Sequence, residues 1–511
     1  MLRTVTTKYG DISGVACGDP RITVFWGVPY AKPPVGKLRF SAPQPLEPWE
    51  GTYQADRKPP IAMQPQPGED WTDFYTKELN PTGYEYTLSE DCLYLNIWSP
   101  AKSAAEKLPV FFYIHGGGFT AGYPFEVEFD GERVARNDVI FVTVGYRLNA
   151  FGFFSHPELR DECPGNQGLL DQIMALRWVR ENIRAFGGDP DRVTICGQSA
   201  GGMSVASILN SPLSEGLVSG GIMMSGGGLR PPKGGVGPWL SMEDAESYGL
   251  QLMEAVGAKN LAQLREIPAG VIMRTALGRW KDGKNGPLRW RPVIDGRFFK
   301  EELRDAIISG RNLNVPIMIG CCRGENRPRG GFFGAPTDLA SFKKMVCDNY
   351  GDKAEELLSL CDLSSEEAFK DFYYNEIGLS AGYTGAMAYA RNNARLGRKA
   401  WTFVFDHDIP GDDAGSFHGS DMWFVFDSVG HSWRPFTGKH YDLARQVSSY
   451  WANFVKYGDP NGCDRIGDPL PEWKPFDDQD EFTICFKDAP EKFDEGNEEL
   501  KRLTQNYFIE G

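Results

Sequence analysis

The pentapeptide Gly197-Gln198-Ser199-Ala200-Gly201 places a serine between glycines two residues before and two residues after it. A short apolar run, Val193-Thr-Ile-Cys196, precedes it, and a helix-like stretch to Leu209 follows. In a strand–turn–helix setting the backbone turns so sharply at such a serine that side chains at the glycine positions would strike the neighbouring strand and helix. The turn lifts the hydroxyl above the sheet edge, where it can attack a carbonyl and form an acyl intermediate. An ordinary glycine turn is the competing reading. The apolar run before the serine and the helical run after it favour the nucleophile.

A second segment fits the same chemistry. His115-Gly116-Gly117-Gly118-Phe119 follows the apolar run Val110-Phe-Phe-Tyr-Ile114. Attack on a carbonyl leaves negative charge on its oxygen, and backbone N–H groups aimed at that oxygen stabilise it; loss of one such donor typically costs ~10²–10³ in rate. Glycines let the backbone come close. The N–H groups of Gly117, Gly118 and Ala200 are therefore the expected oxyanion donors. A serine nucleophile also needs a base, and the base needs a carboxylate to orient it. With this kind of turn the chain order is serine, acid, histidine. Of the six histidines, 407, 418, 431 and 440 follow Ser199. His115 precedes it and is expected to shape its loop.

These residues require rigid elements behind them. Residues 110–114, 139–144 and 193–196 read as buried strands. Over 169–186, Leu169, Leu170, Ile173, Leu176, Val179 and Ile183 recur at the spacing that gives a helix one apolar face. Alternating strands and helices point to a parallel sheet with crossover helices. Further strands are expected at 222–224, 315–319, 401–405 and 482–486, and a helix over 442–457 that ends at Gly458-Asp-Pro460. Residues 226–238 and 327–336 read as loops. No repeat or boundary is visible, so residues 1–511 are expected to form one catalytic domain with inserted helical and loop regions.

Composition narrows the function classes. With 54 basic and 69 acidic residues the net charge is −15, which argues against nucleic acid as a partner. An acidic surface favours solubility and, as a far-field effect, neutral or cationic substrates. No stretch approaches the ~18 apolar residues of a membrane span. The N-terminus has no apolar signal-like segment. The ten cysteines contain no CxxC pair and no accompanying histidine cluster, so neither zinc nor any other metal is expected. Free thiols suggest a reducing compartment and a cytoplasmic location.

The order of several long motifs resembles the type B carboxylesterase family, which includes the cholinesterases. Phe25-Trp-Gly-Val-Pro-Tyr-Ala-Lys-Pro-Pro-Val-Gly-Lys-Leu-Arg-Phe40 is similar to its opening signature and Ser89-Glu-Asp-Cys-Leu-Tyr-Leu-Asn96 to its second. Asn166–Gln172, Phe186–Pro190, Tyr450–Phe454 and Gly458–Asn461 match further segments. The resemblance implies an α/β-hydrolase fold, with a mostly parallel twisted sheet, helices on both faces and long insertions around the site. It implies hydrolysis of small-molecule carboxylic esters without a cofactor. Through Gly415-Ser-Phe-His-Gly-Ser-Asp421 it selects His418 as base, with His407 as the bland alternative. Through Gly320-Cys-Cys-Arg-Gly-Glu-Asn326 it selects Glu325 as acid, although Gly324 and Asn326 replace the usual neighbours. It also assigns Ser225 as support for the acid, and suggests ion pairs of Arg39 with Glu90 and Arg147 with Asp171.

Two departures matter. Cys92 lacks the upstream cysteine that secreted relatives pair with it, since residues 55–70 contain none. Residues 76–88 lack the tryptophan that cradles choline in the cholinesterases, although Tyr84 and Tyr86 are nearby. Phe332, Phe333, Trp423 and Phe424 are candidates to line an apolar pocket, with core packing the alternative. A non-catalytic binding module of the same fold, and an amidase or lactonase, are the competing functions. Oligomeric state is not readable.

Overall fold

The computed structural model describes residues 1–68, 73–80, 85–232, 239–278, 289–327, 331 and 336–511. Its centre is an eleven-stranded sheet. In chain order the strands are β1 (Val15–Ala16), β2 (Thr23–Pro29), β3 (Tyr94–Ser99), β4 (Leu108–Ile114), β5 (Ile140–Val144), β6 (Gly188–Gln198), β7 (Gly220–Met224), β8 (Ile317–Cys322), β9 (Ala400–Phe405), β10 (Thr483–Phe486) and β11 (Pro490–Lys492). Their spatial order is β11-β10-β9-β8-β7-β6-β4-β5-β3-β2-β1. From β10 to β5 the pairing is parallel, and both edges are antiparallel. A separate three-stranded sheet of Thr4–Thr7, Gly10–Ser13 and Thr52–Gln54 was not foreseen.

The central strands are covered on both faces, which is why they read as continuous apolar runs rather than alternating ones. Successive side chains still point to opposite faces. Phe112, Ile195 and Met223 enter one core cluster, and Phe111, Cys196 and Ile222 enter the other. Helix α1 (Gln167–Asn182) and helix α2 (Ala200–Leu209) cover the first face with Leu169, Ile173, Leu176, Val205 and Leu209. Helix α3 (Ala381–Arg395) packs there too, through Ala386, Met387 and Tyr389. The opposite face is covered by α4 (Met422–Val425) and α5 (Gly438–Tyr457), the latter through Leu443, Val447, Tyr450, Trp451 and Phe454. Helix α5 ends at Gly458, whose φ of 66° is the left-handed turn that glycine adopts without a Cβ penalty.

Both suggested ion pairs form. Arg147 donates from Nε to Asp171 Oδ2 at 2.8 Å and from Nη2 to Oδ1 at 2.7 Å, with both side chains buried. Its Nη1 also reaches the Ser41 carbonyl at 2.8 Å. Arg39 grips Glu90 through two hydrogen bonds of 2.6 and 2.5 Å and caps the Ile267 carbonyl. Each arginine therefore ties loops near the N-terminus to elements more than a hundred residues away. A buried pair adds little net stability, but breaking one strands a charge at a cost of ~3–5 kcal/mol. Asp171→Ala is expected to lower the free energy of chemical unfolding by about that amount. A change below ~1 kcal/mol would mean that solvent reaches Arg147 in the variant.

Candidate active site

Strand β6 ends at Gln198 and α2 begins at Ala200, so Ser199 is the whole of the turn between them. Its φ of 56° and ψ of −121° are strained for a residue with a side chain, a cost of ~1–3 kcal/mol that surrounding contacts must hold. The Ser199 N–H donates to the Met224 carbonyl at the end of β7 (2.8 Å), and the Ser199 carbonyl accepts from Met203 N–H (3.0 Å). A Cβ on Gly201 would lie 2.0 Å from the Ile114 carbonyl oxygen, so only glycine lets α2 start this close to β4. Ser199 and His418 are half-buried, reached by solvent but walled by protein.

The loop after β4 packs directly on this turn. A Cβ added to Gly116 would come within 3.2 Å of the Ser199 Cβ. Gly117 (φ 96°) and Gly118 (φ 63°) are exposed and left-handed. Among the described residues no protein acceptor takes the N–H of Gly117, Gly118 or Ala200. As the first residue of α2, Ala200 has an N–H with no intrahelical partner. His115 turns away from the chemistry. It stacks on Tyr146 with ring centroids 4.5 Å apart, contacts the Gly116 carbonyl, and is pushed down to about 4 by burial.

Glu325 stands in the 3₁₀ turn Arg323–Asn326 that follows β8, and His418 lies in the turn before α4. The two meet: His418 Nδ1 is 2.7 Å from Glu325 Oε2. The Gly324 N–H donates to the Ser416 carbonyl at 3.0 Å, which ties the acid's turn to the histidine's loop. With a carboxylate facing Nδ1, that nitrogen carries the proton, and Nε2 is left as an acceptor. Gln198 Nε2, on the residue before the serine, donates to it at 3.2 Å. Burial, the largest influence on His418, lowers its pKa; the charge and hydrogen bond of Glu325 outweigh it, and the net shift is upward.

Several expected residues fall elsewhere. Ser225 is buried with a φ of 51°, but among the described residues its hydroxyl has no hydrogen-bond partner and does not hold Glu325. Instead, Glu325 Oε1 accepts from the Cys322 N–H at 3.3 Å. Trp423 and Phe424 are core residues rather than pocket walls, 2% and 0% exposed. Phe424 packs against Phe405, His407 and Phe436, because α4 runs into the second core cluster immediately after the His418 turn. His407 is not a surface residue. It is buried, and its Nδ1 meets the Lys487 carbonyl at 2.9 Å. Phe332, Phe333 and Tyr84 lie outside the described residues.

Sequence reasoning overlooked Asp421 and Gln198. Asp421 is buried three residues after His418, and burial first, then the Glu325 charge, push it up to about 7. Its signal was a lone acid opening an otherwise apolar stretch, Met422–Phe426. Gln198 was visible only as the variable position of the pentapeptide. Among the described residues no group of three histidine, cysteine or acidic side chains could hold a metal ion.

A serine on a strained strand-to-helix turn, a glycine loop against it and a carboxylate-oriented histidine define a serine hydrolase of the α/β-hydrolase fold. The profile of the carboxylesterase family matches residues 2–503, and the chain belongs to that family. It is 33% identical to the para-nitrobenzyl esterase of Bacillus subtilis (strain 168), over 89% of this chain and 90% of that one. It is also 33% identical to the medium-chain fatty acyl-CoA hydrolase precursor of Anas platyrhynchos, over 93% of this chain and 86% of that one. A solved PNB esterase structure superposes with a TM-score of 0.81 at 30% identity, covering 99% of this chain and 100% of the other. The protein is a serine carboxylesterase, and the non-catalytic binding module is not favoured.

Proposed function

We propose that Ser199, His418 and Glu325 are the catalytic triad that hydrolyses a small carboxylic ester. The observation that carries this reading is the 2.7 Å contact of His418 Nδ1 with Glu325 while its Nε2 faces the residue preceding Ser199. In the first half-reaction His418 Nε2 takes the Ser199 proton as Oγ attacks the ester carbonyl. The oxyanion is held by the N–H groups of Gly117, Gly118 and Ala200, all without a protein acceptor among the described residues. His418 then protonates the departing alcohol. In the second half-reaction it deprotonates a water that attacks the acyl carbonyl, and the acid leaves as Ser199 regains its proton.

Incubation with p-nitrophenyl butyrate followed by rapid acid quenching is expected to add one butyryl group to the peptide that contains Ser199. An acyl group found only on another residue would overturn the assignment. Comparing matched ester, amide and lactone substrates distinguishes esterase from amidase or lactonase chemistry, since the same groups serve all three. The relatives' names point to nitrobenzyl and acyl-CoA esters as first substrates to try. The ten cysteines, all unpaired, support a reducing and hence cytoplasmic setting, which fractionation of the native host would test.

A further inference from the structure

The helix Phe74–Leu79 has six residues, too few to persist alone in water, so contacts elsewhere in the molecule must hold it. Its first turn is capped by Asp73, whose carboxylate accepts from the Thr76 N–H at 2.8 Å. Glu78 on this helix is buried, and a buried carboxylate requires a partner. It finds one 356 residues further along. Arg434, also buried, donates from Nη2 to Glu78 Oε1 at 2.7 Å and from Nε to Oε2 at 3.0 Å. Its Nη1 reaches Asp412 Oδ1 at 3.0 Å and the Pro410 carbonyl at 2.9 Å. Such a pair adds little net stability over apolar residues of the same volume, but its two-pronged fork fixes one geometry.

The same helix touches the loop that carries His418. The Tyr75 hydroxyl donates to the His418 carbonyl at 3.1 Å. Phe74 meets the Phe417 ring edge-on with centroids 4.9 Å apart, and the Arg434 guanidinium lies 4.9 Å from the centre of that ring. Inside the loop, Phe417 N–H returns to the Gly415 carbonyl, Ser420 N–H to Phe417 and Met422 N–H to Gly419. Among the described residues no backbone N–H reaches the His418 carbonyl, so Tyr75 holds it from outside the loop. Beyond its other end, the helix meets the segment that follows the glycine loop. The Tyr123 hydroxyl, five residues past Gly118, donates to Asn80 Oδ1 at 2.8 Å.

We propose that Tyr75 is a positioning residue for the base: anchored by the Glu78–Arg434 pair, it clasps the His418 backbone and ties it to the oxyanion segment. This rests on His418 being the base. Proton transfer demands tight placement, and a displacement of ~1 Å can cost ~10²-fold in rate. Burial, and then the Glu325 charge, raise the pKa of Tyr75, so its hydroxyl remains a donor wherever His418 works. Tyr75 acts on the backbone of the base, while Glu325 acts on its ring.

Tyr75→Phe removes one oxygen and keeps the ring, so it is the cleanest probe. Its kcat on p-nitrophenyl butyrate is expected to fall about 3- to 10-fold, the worth of one neutral hydrogen bond, with KM little changed. A residue that acts through the base slows every ester alike, so p-nitrophenyl acetate, butyrate and octanoate should lose the same factor. A residue that touches substrate would instead move KM and discriminate by chain length. Glu78→Gln should show the same even loss, because loosening the anchor releases Tyr75. The double variant should lose less than the product of the two single losses, since both act through one contact. Tyr75→Phe decides the matter even if Glu78→Gln does not fold. A kcat for Tyr75→Phe equal to the wild type, or a loss confined to KM or to one chain length, would overturn the clasp and leave the triad intact. Full turnover in His418→Ala would overturn the triad instead.

Discussion

Ser199→Ala is expected to reduce kcat on p-nitrophenyl butyrate by about 10⁵–10⁶-fold, because every step of the cycle passes through the oxygen it removes. The residue left behind keeps the same backbone strain at φ 56°, so the turn and the oxyanion loop should remain in place. Any residual rate would come from binding and from the N–H groups of Gly117, Gly118 and Ala200, which together can still give ~10³–10⁴ over water. Turnover numbers read on protein whose thermal midpoint matches the wild type settle the point. Activity within tenfold of the wild type would mean that the nucleophile lies elsewhere.

Glu325→Gln is expected to cost about 10⁴-fold, the scale seen when the acid of such a triad becomes an amide. The loss has two parts. An amide facing Nδ1 can donate its own N–H there, which moves the imidazole proton to Nε2 and removes the acceptor that Ser199 needs. The charge that raises His418 against the pull of burial also disappears. Because His418 acts as a base only when neutral, wild-type activity should fall as pH drops through its raised pKa, above the ordinary 6.5. In the variant that acid limb should shift to lower pH, since burial is then opposed only by the weaker influence of the Asp421 charge. Rate measurements from pH ~5 to 9 test both parts. An unchanged acid limb with undiminished rate would assign the orienting role to Asp421.

Much of the central sheet is legible from residue order. Val110–Ile114 and Val193–Cys196 are short apolar runs that fit doubly covered strands, and Leu169 to Ile183 repeats at helical spacing because one face of α1 lies on that sheet. The serine turn is legible because its glycines are dictated by contacts of about 2 Å, for which no other residue substitutes. Ser225 was assigned to the acid through the resemblance, and a matching position does not fix where a hydroxyl points: among the described residues it meets no partner. Trp423 and Phe424 were ambiguous because a large aromatic serves a core and a pocket equally well. The small sheet beginning at Thr4 was missed because its strands are short and partly exposed, with little apolar signal. Glu325 depended on resemblance, since a lone glutamate among arginines reads as an ordinary surface pair until β8 and the His418 loop are brought together.

The separation of the reacting groups along the chain bears on synthesis. The serine turn and its glycine loop are complete by Leu209, yet His418, the proposed base, lies more than two hundred residues further along the chain. Strand β9, which precedes that histidine's loop, pairs on its outer side with β10, whose residues are 483–486. On the proposed triad, a growing polypeptide carries an unreactive serine until His418 has been made, even if its earlier segments have already folded. Under the same proposed triad, a chain cut short before His418 cannot cleave esters through Ser199.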